Sequence, residues 1–447
     1  MSLERLALAV LLPGRPGTVL DGPWATLLEE GLGGLCLFAA NMPCSTLVGS
    51  IREVAPGAVV AVDEEGGDVT RLHAATGSPV LGHAALGVVD DVGVTRGAAA
   101  AIAASLVDVG VNLNLAPVAD VNSNLANPVI GVRSFGADPA LVARHVAAYV
   151  EGLQGGGVSA CAKHFPGHGD THEDSHLALP RVEISAEQLR ARELVPFAAA
   201  VEAGVDAVMT SHIVIPALDE RPATLSSVVL GLLRSELGFD GLVVSDALDM
   251  AGASAQVGIP ASAVLALGAG CDLLCLGASN DVELVRAVQT AIVTAVRDGS
   301  LEESRLIDAA ERVDALPGRT PVTAGAASNA EAPILVEGEV PDLSDAVVAR
   351  FSSEPSIAVG PVPWGLPGVE AASLRPDGPV VVLQVRDLHL HAEAQALVEK
   401  LLPDVVLVEY GWPAPLSVHV PRICSFGASL PSRDAVSAYL RSKGCRT

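Results

Sequence analysis

The sequence predicts an α/β chain, a (β/α)8 TIM barrel followed by a small α/β, αβα-sandwich-like C-terminal domain, on three observations. From the start to about residue 300, a short β-branched apolar run, a polar or Gly-rich loop and a helix-periodic Ala/Leu/Glu/Arg segment recur. Eight such apolar runs occur, about 35 residues apart, the size of one β/α unit. The turn after the first run is "PGRPG", whereas an open doubly wound sheet usually places a G-x-G-x-x-G phosphate turn there.

Taken in order, the expected strands are "LALAVLL" (6–12), "GLCLFA" (34–39), "AVVAVD" (58–63), "VNLNLAP" (111–117), "SACAKH" (159–164), "DAVMTSH" (206–212), "GLVVSD" (241–246) and "DLLCLG" (272–277). Helices are expected between them, among them "PALVARHVAAYVEGLQ" and "SAEQLRARELVPFAAAVEAG", and "EESRLIDAAERVDAL" closes the repeat. The barrel is thus placed over 1–318. A linker poor in periodicity, centred on "PGRTPVTAGAASNAEAP", is placed over 319–339. The small α/β domain takes 340–447, with strand-like "SIAVG", "VVVLQV", "VVLVEYG" and "RICSFG" alternating with helical "HAEAQALVEKLL" and "RDAVSAYLRSK".

Bulk composition excludes several roles. With 27 Lys and Arg against 52 Asp and Glu, the formal charge of −25 opposes phosphate-backbone binding, so no nucleic-acid partner is expected. No apolar run approaches the roughly 18 residues that span a bilayer, and the first residues lack a basic leader and a cleavage site, so a cytoplasmic protein is expected. The seven cysteines are scattered, mostly within apolar strands, and read as buried thiols.

A barrel demands that active-site groups lie at the C-terminal ends of its strands. Those ends supply Asp63 after the third, Asn114 and Asp120 near the fourth, Lys163 and His164 at the fifth, Ser211 and His212 at the sixth, and Ser245 and Asp246 at the seventh. Any one of them alone reads as a helix cap; five polar strand ends together read as a site.

The loop after the fifth strand, "KHFPGHGDTHEDSH" (163–176), carries histidines at 164, 168, 172 and 176. On a helix this spacing would align four imidazoles as metal ligands. Pro166, Gly167 and Gly169 break such a helix, so the regular spacing need not mean a shared face and the metal reading weakens; no cofactor is expected. Asp174 and His176, two residues apart in the same loop, offer a different unit: an Asp so placed can reach one ring nitrogen and fix the tautomer, leaving the other nitrogen to give or take a proton near neutral pH. A carboxylate on a rigid strand end, as Asp246 is expected to be, can act as a nucleophile towards an electrophilic carbon such as the anomeric centre of a sugar. Asp63, Arg71, Arg133, Lys163 and His164 mix donors and acceptors, which suits a neutral polyol better than a phosphate.

The segments "DEEGGDVTRL", "NLAPVADVN", "NPVIGVRSFGADP", "KHFPGHGDTHEDSHLALP", "MTSHIVIPALD", "PATLS" and "LRSELGFDGLVVSDALDMAGA" together resemble the successive signatures of family 3 glycoside hydrolases, in particular their β-N-acetylhexosaminidase branch. The resemblance covers the barrel in order. It implies that Asp246 is the catalytic nucleophile, that His176 with Asp174 as partner is the acid/base, and that Asp63, Arg71, Arg133, Lys163 and His164 bind the sugar. Asp249, His168 and His172 match no catalytic position. The implied reaction is retaining and exo-acting, releasing terminal β-linked GlcNAc from aminosugar oligosaccharides or from muropeptide fragments in cell-wall recycling; the alternatives are inorganic phosphate in place of water as acceptor, or a sugar-binding protein without catalysis. Chelator sensitivity would mark the third reading, a metal-dependent hydrolase. Two departures stand out: Asp68 follows "EGG" where many relatives carry Arg, and the C-terminal unit is shorter than the companion domain of two-domain relatives.

Overall fold

The structure is a computed structural model, and it describes residues 1–173, 179–255, 257–316, 330–353, 356, 358–374 and 378–446. Strands β2 (Gly34–Leu37), β3 (Val59–Val62), β4 (Leu113–Asn114), β5 (Ser159–Phe165), β6 (Ala207–Thr210) and β7 (Leu242–Val244) pair in parallel in sequence order. A further parallel pair joins β1 (Leu11–Leu12) to β8 (Leu274–Cys275). Single parallel bridges, Gly14 to Cys36 and Val244 to Leu273, tie this pair to both edges of the six-stranded ladder, so the sheet curls.

Strand alternation divides the side chains between two cores. Leu12, Cys36, Val59, Ala61, Leu113, Cys161, Ala207, Met209, Leu242 and Val244 meet one another on the concave side. Their neighbours Leu35, Leu37, Val60, Val62, Ala160, Ala162, Val208 and Val243 face outward into a larger core. That core is shared with helices such as Val92–Asp108, Pro139–Gly155 and Val282–Asp298. Each of these begins at an Asp whose carboxylate accepts backbone N–H groups of the first turn, which fixes where the helix starts.

The eight expected strands of the first unit all contain a strand, but the first is displaced. Residues Leu3–Ala9 are a helix, and only Leu11–Leu12 of "LALAVLL" is extended. The Ser2 hydroxyl caps this helix by accepting from Arg5 N, and Leu6, Ala7 and Leu8 are all buried, so the run carries no alternation to distinguish strand from helix. The expected helix over 185–204 is interrupted by a π turn at Leu189–Glu193 before it continues as Leu194–Glu202.

The second sheet contains β9 (Leu335–Glu337), β10 (Val347–Arg350), β11 (Val369–Glu370), β12 (Val381–Val385), β13 (Val405–Glu409) and β14 (Arg422–Cys424), in the order β11-β10-β12-β13-β14-β9. All its neighbours are parallel except β9, which runs antiparallel to β14. One face packs Val382, Val406, Val408 and Ile423 against Val436 and Leu440 of the helix Leu430–Ser442. The other packs Val381, Leu383 and Leu407 against Ala394 and Val398 of the helix Ala392–Leu401. The expected strand "SIAVG" does not form at its described residues. Val359 N and Gly360 N both donate to the Ser356 carbonyl, making a turn, and Gly360 (φ +70°) followed by Pro361 stops extension. Most of the expected linker, and both Asp174 and His176, lie outside the described residues.

Candidate active site

Strand parity decides which polar groups meet. Asp63 continues the concave series Val59 and Ala61, Lys163 continues Cys161, and Asp246 continues Leu242 and Val244. Parity alone turns His164 outward. The register of β5 against β6 shifts between Ala162 and Phe165, however, and His164 lines the same cavity. This cavity, about 390 Å³, therefore gathers Asp63, Arg71, Arg133, Lys163, His164 and Asp246, six of the eight residues expected in the site. Asp249, which has no expected role, lines it too.

The cavity wall holds a buried charge network. Lys163 Nζ lies 2.7 Å from Asp63 Oδ1 and 2.7 Å from Glu65 Oε1. Arg133 forks onto Glu65 through Nη2 at 2.8 Å and Nε at 3.1 Å, and Arg71 Nη2 stands 3.7 Å from Asp63 Oδ2. Burial alone would push these groups towards their neutral forms. For Asp63 that effect is outweighed by the Lys163 ammonium and the Arg71 guanidinium, which hold its carboxyl below the ordinary range. Glu65 is likewise desolvated, yet Arg133 and Lys163 hold its carboxyl well below that range. Reciprocally, Asp63 and Glu65 overcome the burial of Lys163 and raise it. The network is therefore held in its ionised form and lines the cavity with oriented charge.

Several strand-end residues prove to be supports. Asn114 accepts from Glu64 N at 3.0 Å and donates to Glu64 O at 2.8 Å, holding the backbone beside Asp63. The Asp120 carboxylate, fully buried, accepts from His164 N and His168 N at 3.1 and 2.7 Å and lies 2.7 Å from His164 Nδ1. It fixes both the imidazole and the loop that follows. His212 bridges Thr224 Oγ1 and the Ala247 carbonyl at 2.9 and 3.0 Å, steadying the chain just after Asp246. Ser211 Oγ donates to the Phe165 carbonyl, and Ser245 Oγ accepts from Cys275 N. The Asp246 carboxylate accepts from Ala247 N at 2.8 Å.

The histidines of the loop do not share a face. His164 is held by Asp120, His168 Nδ1 lies 3.0 Å from Thr171 Oγ1, and His172 Nδ1 lies 3.1 Å from Asn124 Nδ2. Burial, then the nearby His164, push the His168 imidazole down to about 4, so it is neutral at pH 7. Among the described residues no group of three or more His, Cys, Asp and Glu side chains is placed to hold a metal ion. The start of the loop is pinned from two sides: Asn127 donates to His168 O, and Arg192, on the π turn, pairs with Asp170 at 2.6 Å and Glu193 at 2.5 Å.

Sequence reasoning passed over Glu65 and the C-terminal lining residues Ala358, Gly360 and Pro361. Glu65 could have been found. Three cations, Arg71, Arg133 and Lys163, assigned to a buried site need more than Asp63 to balance them, and "DEEGG" offers the next carboxylates. The C-terminal residues carry no such signal. Asp68, noted as a departure, does not line the cavity; its carboxylate accepts from Ala428 N at 2.6 Å and pairs with Arg386.

Residues 25–316 match the "Glycosyl hydrolase family 3 N terminal domain". The chain is 34% identical over 322 residues to a beta-hexosaminidase A of Pseudoalteromonas piscicida, covering 65% of this chain and 54% of that protein, so it spans about half the length of this relative. It is 38% identical over 255 residues to a beta-hexosaminidase of Methylococcus capsulatus, covering 56% of this chain and 76% of the other. A family 3 beta-N-acetylglucosaminidase from Paenibacillus sp. str. FPU-7 superimposes with a TM-score of 0.87 at 31% identity, covering 99% of this chain and 97% of that one. No helix among the described residues is long and apolar enough to cross a membrane. The chain belongs to glycoside hydrolase family 3, in its β-N-acetylhexosaminidase branch.

Proposed function

We propose that the protein is a retaining exo-β-N-acetylglucosaminidase that releases terminal β-linked GlcNAc from aminosugar oligosaccharides or muropeptide fragments, as in cell-wall recycling. The observation that carries this reading is a strand-borne carboxylate, Asp246, opening into the same cavity as the Asp63–Lys163–Glu65–Arg133 network. The network, with Arg71 and His164, holds the sugar hydroxyls. Asp246 then attacks the anomeric carbon while the glycosidic bond breaks and His176, oriented by Asp174, gives its proton to the leaving oxygen. In the second step His176 takes a proton from water as that water displaces Asp246. The β configuration is thereby restored.

Water is the acceptor that the charge arrangement favours. Lys163 is shared by two carboxylates and Arg133 is bidentate to one, so these cations are already neutralised before an anionic acceptor arrives. The curled sheet is taken as a closed (β/α)8 barrel over 1–318, supported by the bridges at both of its edges. Residues 319–339 act as the linker, and 340–447, joined by β9, form a small α/β domain, supported by its separate apolar clusters. The test is an NMR time course of an aryl β-N-acetylglucosaminide. The β-anomer of GlcNAc should appear first and mutarotate afterwards; first appearance of the α-anomer, or of a sugar phosphate in phosphate buffer, would overturn the retaining hydrolase.

A further inference from the structure

We infer that the C-terminal unit is part of the sugar site, with Asp68 and Arg386 acting as positioning residues for Arg71; this rests on the proposed glycosidase reading. Three observations converge. Ala358, Gly360 and Pro361, all beyond the curled sheet, line the cavity that holds Asp246 and the gripping network. The Arg71 guanidinium, 3.7 Å from Asp63, donates through Nη2 to the Ala358 carbonyl at 2.8 Å and through Nη1 to the Val359 carbonyl at 3.3 Å. Arg71 is buried, so these carbonyls are the fixed acceptors that decide where its fork points.

The third observation is a latch three residues upstream on the same loop. Asp68 is buried, pairs with Arg386, and accepts from Ala428 N at 2.6 Å. Gly427 (φ +125°) permits this approach, since a Cβ there would stand 3.2 Å from Asp68 Oδ1. The Arg386 guanidinium also lies over the Trp364 ring, 5.6 Å from its centroid, which seats the latch in the second unit. Two outer contacts extend the same docking: Leu430 N donates to Ser78 O and Arg433 to Thr76 O, each at 2.8 Å. One loop, residues 66–72, thus carries both the attachment to the second unit and the cation that faces Asp63. A small displacement of the second unit removes two acceptors from Arg71 and changes its grip on the hexosaminide without touching Asp246.

The test uses the full chain and measures KM and kcat for an aryl β-N-acetylglucosaminide together with the inhibition constant of GlcNAc. In Arg386→Met both KM and the inhibition constant should rise by about tenfold, the scale of a modest misplacement of a binding group, while kcat changes by no more than about twofold. A purely structural role would lower the melting temperature and the active fraction, hence apparent kcat, and leave KM unmoved. Pro361→Trp, at an exposed position on the cavity wall, carries little folding risk and should raise KM at least about fivefold by filling the space next to the sugar. Unchanged KM and inhibition constant in either folded variant, with normal wild-type turnover, overturns this inference alone. A wild type that neither turns over nor binds the sugar overturns the proposed function and this inference with it.

Discussion

Replacing Glu193 with Gln should change how stability depends on pH, by an amount the structure specifies. Glu193 sits on the π turn beneath the histidine loop with its side chain 1% exposed; Oε1 meets Arg192, and Oε2 has no hydrogen-bond partner among the described residues. Burial, only partly offset by Arg192, pushes its carboxyl from the ordinary 4.5 up to about 7. A carboxyl raised in the folded state is protonated there while the unfolded chain is already ionised. The native state thus holds the extra proton between pH 4.5 and about 7, and stability falls as pH rises through that window. At about 1.36 kcal/mol per pH unit, the full effect is about 3 kcal/mol by pH 8. Gln cannot ionise, so the unfolding free energy of the variant minus that of wild type should increase by about this amount from pH 4.5 to pH 8, whatever fixed offset the new amide introduces. Denaturant unfolding at a series of pH values measures it. A difference that stays constant with pH would refute the assignment of a buried, under-solvated carboxyl to Glu193.

Three further outcomes, from two variants, follow from the site. Glu65→Gln removes the carboxylate shared by Lys163 and Arg133, and should cost about 3 kcal/mol of stability, the low end for a broken buried pair because Lys163 keeps Asp63; a thermal or denaturant shift near zero would contradict the network. The same variant should raise KM for an aryl β-N-acetylglucosaminide. His176→Ala should slow glycosides with poor leaving groups far more than activated aryl glycosides, because only the former need the proton; equal losses on both would make His176 a structural residue.

How much was legible depended on what each feature needs. The parity of short, fully apolar strands is written in the sequence, so Asp63, Lys163 and Asp246 could be placed at strand ends on one face from "AVVAVD", "SACAKH" and "GLVVSD". Residues 6–9 read as strand because the buried run Leu6–Leu8 lacks the alternation that tells strand from helix, and only Ser2 and Glu4 signal the helix. Glu65 escaped notice because its parity partner in the chain, Asp63, already explained the motif. Asp120 was noted as a strand-end group, but its task of holding His164 and His168 depends on a fold-back over 44 and 48 positions that no local pattern encodes. The contribution of Ala358, Gly360 and Pro361 was illegible for the same reason: small, uncharged residues far along the chain become site residues only through docking. Asp68 shows the converse. Its charge stands out, and only Arg386 and Ala428 reveal that the charge faces the second unit and not the cavity.

The most direct test of the account is chemical rescue at Asp246. Asp246→Gly should reduce turnover of an activated aryl β-N-acetylglucosaminide by at least about a thousandfold, the scale of losing a nucleophile. Added azide should restore release of the aryl group by entering the space left by the carboxylate, and the product should be the α-glycosyl azide. Turnover that survives the substitution, or a rescued product of β configuration, would contradict Asp246 as the nucleophile of a retaining glycosidase.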